Sequence, residues 1–151
     1  MIAPTRPAEA PPRIVIEAPQ PTVDGGRWPA KRVVGDLVEI SADIFRDGHE
    51  KLWAVVRTLP PGETEWTEAE MHAVDAHHAG VRWQGEIVVD RMGRWEIDIV
   101  AWTDVWATWR DELARKVTAG QHDLGGELSE GGVLLAAAAE RAATPGRPAR
   151  R

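Results

Sequence analysis

The sequence predicts a mainly β chain: an immunoglobulin-like antiparallel β-sandwich followed by a C-terminal pair of α-helices. Three observations carry this. Before Asp104, apolar and polar residues alternate in a series of short runs, as strands with one buried face require. Turn signals (Asp24-Gly25-Gly26, Asp47-Gly48, Pro60-Pro61-Gly62 and Asp90-Arg91-Met92-Gly93) separate the runs at the spacing of an antiparallel sandwich. After Asp104 the apolar period lengthens to that of a helix. A partly open barrel satisfies the same β pattern.

Taken in order, residues 1–12 are rich in Pro and Ala and carry almost no large apolar side chain, so a disordered lead is expected. Residues 13–104 hold the sandwich. Arg13 to Glu17 is a short β-branched run closed by Pro19 and Pro21, which suits an edge strand. From Leu37 to Phe45, Val38, Ile40, Ala42 and Ile44 face one way and Glu39, Ser41 and Asp43 the other. Lys51 to Thr58 alternates again after Asp47-Gly48, and the two runs are expected to pair. Trp66 to Val74 is a weaker strand candidate, and Ala76 to Gly80 a polar loop. Val81, Trp83, Gly85, Ile87 and Val89 alternate, and Arg94 to Thr103 is the last strand.

Residues 105–143 are expected to be helical. Trp106, Trp109, Leu113 and Val117 fall on one stripe of a helix that Gly120 is placed to end. A second helix is expected from about Leu128 to Ala143, its first turns weakened by Gly131 and Gly132, each costing ~1 kcal/mol in a helix interior. Residues 144–151 form a basic, Pro-containing tail expected to be disordered.

With 18 Lys and Arg against 24 Asp and Glu, the net charge of −6 argues against a nucleic-acid or anionic-membrane partner. Absence of cysteine excludes disulfide and thiolate chemistry. No apolar run approaches the ~20 residues of a membrane span, and a cytoplasmic location is expected.

Catalytic signals are weak. Glu39, Asp43, Glu96 and Asp98 alternate with apolar neighbours and read as solvated strand faces rather than a glycosidase pair. His72, His77 and His78 lack the second ligand pair a zinc site needs, so no metal and no cofactor are expected. Neither Ser41 nor Ser129 sits in a nucleophile elbow. The eight tryptophans are the informative residues. Trp83 and Trp95 share the phase of the core, whereas Trp53 and Trp102 lie on the opposite phase, where they can stack on a sugar or be covered by another domain. Trp106 and Trp109 are expected to pack the first helix on the sandwich, and with Leu113 and Val117 form the candidate interface.

Four blocks in order, Asp24-Gly25-Gly26-Arg27-Trp28-Pro29-Ala30-Lys31-Arg32-Val33-Val34-Gly35, Ala42-Asp43-Ile44-Phe45-Arg46-Asp47-Gly48-His49, Gly93-Arg94-Trp95-Glu96 and Ala107-Thr108-Trp109-Arg110, resemble the amino-terminal region of the alpha-1,4-glucan:maltose-1-phosphate maltosyltransferase family. The resemblance covers roughly Arg13 to Arg141 and implies a β-sandwich domain N, the start of a helical insert, domain S, and a homodimer built with both. It also implies a reaction in which maltosyl units pass from maltose 1-phosphate to an α-1,4-glucan on an amylase-type barrel. That barrel is missing from these residues, so no catalytic residue is carried over. The resemblance therefore implies a non-catalytic accessory and dimerisation region, a fragment or truncated form of the enzyme, whose partner is the catalytic barrel or a second copy of itself. Self-association or marginal stability of the isolated chain is expected. The alternative is a free-standing α-glucan-binding module using Trp53 and Trp102.

Overall fold

The computed structural model describes residues 13–74 and 80–143. The expected disordered lead and tail, together with His77 and His78, lie outside the described residues. Six strands and two helices follow in the order β1 (Ile14–Gln20), β2 (Leu37–Arg46), β3 (Leu52–Leu59), β4 (Thr67–Ala73), β5 (Arg82–Val88), β6 (Glu96–Thr103), α1 (Val105–Thr118) and α2 (Gly125–Ala143). They divide into two compact units. One holds the strands up to Trp102, and the other joins His49–Lys51 to the chain from Thr103 onward.

The immunoglobulin-like sandwich is not what forms. All six strands belong to one sheet, ordered β1-β2-β5-β4-β3-β6, which curls into a nearly closed antiparallel barrel. Two separate sheets would leave four edges; here only β1 and β6 are edges, and the curl brings them to opposite sides of one groove, lined by Ile16 and Pro21 on one side and Ile97 and Ile99 on the other. β2 and β3 do not pair as the sequence suggests. β2 lies between β1 and β5, and β3 between β4 and β6, because residues 47–51 form a crossing connection rather than a tight hairpin.

Alternation nonetheless selects the buried face. Val38, Ile40, Ala42 and Ile44 from β2 meet Ala54 and Val56 from β3, Met71 from β4 and Ile87 from β5 in one core, with Ile14, Trp83, Ile99 and Ala101 packed around it. Each fully buried Val, Ile or Met side chain of this core contributes about 2 kcal/mol. The register is explicit: Val38 lies opposite Ile87 and Ile40 opposite Gly85, while Ala54 lies opposite Met71 and Val56 opposite Ala69. Gly85 is buried because a Cβ there would stand 3.0 Å from both the Glu70 carbonyl and Met71 Cγ. Its bare backbone is the space that Met71 occupies.

In the second unit, Asp104 caps α1, its carboxylate accepting from Ala107 N at 2.8 Å. Ala119 is the C-cap, and Gly120 follows with φ 74°. Lys51 N donates to Thr108 Oγ1 at 2.8 Å and Lys51 Nζ reaches Asp111 at 3.5 Å. α2 begins at Gly125 and runs unbroken through Gly131 and Gly132, so the first turns that the glycines seemed to weaken are helical.

Candidate interaction surfaces

On the outward face of the barrel, Arg57 of β3 pairs with Asp98 of β6 and lies over the Trp66 ring at 5.1 Å. Stepping two residues at a time along these neighbouring strands, Val55 and Trp53 share that face on β3, and Val100 and Trp102 share it on β6. Trp53 is 38% exposed and Trp102 37% exposed. The two tryptophans thus lie on one face of the sheet, half covered and half open.

The helical stripe divides. Trp106 and Trp109 stack with ring centroids 4.7 Å apart, but Trp109 turns toward α2: its Nε1 donates to the Glu127 carbonyl at 2.7 Å, and its ring rests on Gly131. A Cβ at residue 131 would meet Trp109 Cζ2 at 2.2 Å. Leu113 is half-buried, whereas Trp106 and Val117 remain exposed. Gly131, which the sequence marks only as a breaker, is the seat for an aromatic ring.

Lys116 and Glu127 form an ion pair across the two helices. The hydrogen bond from Lys116 holds the Glu127 carboxyl below its usual range, and the same bond raises Lys116. Because the folded-state value of Glu127 is depressed, its contribution is complete above the ordinary value of 4.5 and fades as pH falls through the lower folded value. Acid titration of the helical circular dichroism should therefore show a loosening step below that pH. Glu127→Gln should remove the step; an unchanged acid limb would contradict this role for the pair.

A third surface lies at one end of the barrel. A cavity of about 620 Å³ has a floor of Val38, Ile87, Val89 and Ile97 and walls of Pro21, Pro29, Ala30, Val33, Val34, Met92 and Trp95. Its charged lining is Arg32, Arg91 and Arg94, with no carboxylate. Arg91 turns to Glu63 and Asp90, at 2.8 Å and 2.9 Å, and its hydrogen bond holds Asp90 below the usual carboxylate range. Arg91 and Arg94 come from one turn and Arg32 from a segment far earlier in the chain, so no local motif announces the arrangement.

Among the described residues, no group of three or more His, Asp or Glu is placed to hold a metal ion, and no helix is long and apolar enough to cross a membrane. The described residues contain no catalytic barrel.

Residues 12–151 match a family model described as alpha-1,4-glucan:maltose-1-phosphate maltosyltransferase, domain N/S. Among curated relatives, the maltosyltransferase of Myxococcus xanthus is 42% identical over 139 residues, which is 89% of this chain and 20% of that protein. That of Chlorobaculum tepidum is 36% identical over 91% of this chain and 20% of its own length. The Burkholderia pseudomallei protein is 41% identical over 72% of this chain and 9% of its own length. The chain thus spans a small part of the relatives it matches. Barrel, helix pair and blocks around Trp28, Trp95 and Trp109 all fall within the matched residues, and the chain belongs to the domain N/S family of alpha-1,4-glucan:maltose-1-phosphate maltosyltransferase.

Proposed function

We propose that this chain serves as the non-catalytic accessory and dimerisation region of a maltosyltransferase that extends α-1,4-glucan from maltose 1-phosphate. The observation that carries the reading is that the family match runs through both compact units, neither of which contains a catalytic barrel. Its partners are then the catalytic barrel or a second copy, met through apolar surface such as Trp106 and Val117 on α1 and the tryptophan-bearing face of the sheet. The purified chain, given maltose 1-phosphate and glycogen, should release no phosphate above a protein-free blank. Sustained turnover would overturn the reading.

A second reading is favoured by the half-exposed placement of Trp53 and Trp102 on one face, where a sugar ring can stack on an indole. Here α-1,4-glucan is the ligand. Maltooligosaccharides should then quench or shift the tryptophan emission, with the change lost in Trp53→Ala and Trp102→Ala. No change up to millimolar glucan removes this reading and leaves the scaffold.

A further inference from the structure

The cavity end of the barrel carries exposed apolar side chains. Met92 is 87% exposed, Val33 71% and Leu37 61%, and Val34, Val88 and Ile97 are also exposed. Val33, Val34, Met92 and Ile97 line the cavity and form one patch, whereas Leu37 and Val88, paired across β2 and β5, alternate with the inward-facing Val38 and Ile87 and lie on the other face of the sheet.

Hydrogen bonds and close packing tie the segments that carry the patch. Asp36 accepts from Val33 N at 2.9 Å and donates its own N–H to the Val33 carbonyl at 3.0 Å. Gly35 N, at φ 97°, reaches the Val89 carbonyl at 2.7 Å. On the other wall, Trp95 Nε1 donates to the Arg91 carbonyl at 3.2 Å, and Gly93, at φ 134°, lies so close to Pro61 that a Cβ would meet its ring at 2.6 Å. A surface fixed in this way loses little entropy when a partner covers it.

Its charge selects the partner. Arg91 already faces two carboxylates, but Arg94 and Arg32 have no carboxylate partner among the described residues; Arg32 only donates to the neighbouring Lys31 carbonyl, at 2.7 Å. Among the described residues the lining is therefore apolar with two guanidinium groups that contact no carboxylate.

We propose that this arginine-rimmed end docks onto the rest of the longer maltosyltransferase polypeptide, at a surface that inserts an apolar side chain into the cavity and presents carboxylates to Arg32 and Arg94. This rests on the accessory-domain reading above and adds a further contact face to those on α1 and the tryptophan-bearing side of the sheet. The matched relatives continue well beyond the aligned part: 139 aligned residues are 20% of the Myxococcus xanthus protein, so in that relative a large further body is available to cover the corresponding surface.

The test uses a chimera in which this chain replaces the matched 20% of the Myxococcus xanthus maltosyltransferase. Met92→Asp and Arg94→Glu are made in the chimera and in the isolated chain. In the isolated chain both should leave thermal unfolding and sedimentation essentially unchanged, as exposed substitutions do. In the chimera each should raise the rate of proteolytic cleavage between the accessory part and the remainder by about tenfold or more. Arg94→Lys, which keeps the charge, should fall between Arg94→Glu and the parent. An active chimera whose cleavage is indifferent to all three substitutions overturns the docking face alone. A folded chimera that releases no phosphate from maltose 1-phosphate overturns the accessory-domain reading and this inference with it. Conversion of an isolated-chain dimer to monomer by Arg94→Glu makes the occupant a second copy, and overturns the assignment to the remainder of the polypeptide.

Discussion

Gly131→Ala destabilises the helical hairpin, against the ~1 kcal/mol by which alanine normally outranks glycine inside a helix. The new Cβ would stand 2.2 Å from Trp109 Cζ2 and 2.7 Å from Cε2. The ring cannot withdraw freely, because its Nε1 is tied to the Glu127 carbonyl of the same helix at 2.7 Å and its face is stacked on Trp106. Overpacking of this kind costs about 2 kcal/mol, more than the propensity gain, and a larger side chain costs more. Gly132 is the internal control: nothing lies within 4 Å of its added Cβ, so Gly132→Ala should stabilise by up to ~1 kcal/mol. Urea unfolding followed by circular dichroism at 222 nm reads both. Equal stabilisation by the two alanines would mean that Trp109 does not rest on Gly131.

The second large effect belongs to the barrel. Gly85→Val is expected to destabilise it by about 3 kcal/mol, since the added side chain enters a closed core beside Met71 Cγ and the Glu70 carbonyl, each at 3.0 Å, and Val56 Cγ1 at 3.4 Å. The contacts differ in how far they give. Met71 is a flexible side chain, whereas the Glu70 carbonyl is held by the β4 backbone between β3 and β5. Adding Met71→Ala to Gly85→Val should therefore recover part of the loss, but not all of it. A double variant less stable than the sum of the single effects would show that the two side chains do not compete for one space.

These two glycines mark where the sequence was legible and where it was not. Period-two alternation picked out Val38, Ile40, Ala42 and Ile44, and these four are core residues. The lengthening period after Asp104 and the stop expected at Gly120 bracket α1, Val105–Thr118. Alternation, however, fixes only which face a strand buries. Whether β3 turns back on β2 or crosses to sit between β4 and β6 leaves the same residues inside, so a sandwich and a nearly closed barrel share one sequence pattern. Turn chemistry misled at Asp47-Gly48 because Gly48, with φ 102°, serves a crossing connection there. Gly131 was misread for a related reason. Helix propensity is a local quantity, and the Trp109 ring that makes a missing Cβ favourable comes from another helix.

The surfaces follow the same division. The phase of Trp53 and Trp102 was readable from their neighbours, and the outward pair Arg57–Asp98 fixes that face in space. The stripe of Trp106, Trp109, Leu113 and Val117 was readable as apolar, but not which members an adjoining helix would cover. Arg32 and Arg94 are separated by most of the barrel's sequence, and only the closing of the sheet brings them to one cavity.

Whether this chain acts as the accessory region of a maltosyltransferase is read from the chimera with the Myxococcus xanthus remainder, assayed for phosphate release from maltose 1-phosphate in the presence of glycogen. Release by the chimera and none by either part alone is the expected result. A soluble, cooperatively folded chimera that releases no phosphate would contradict it.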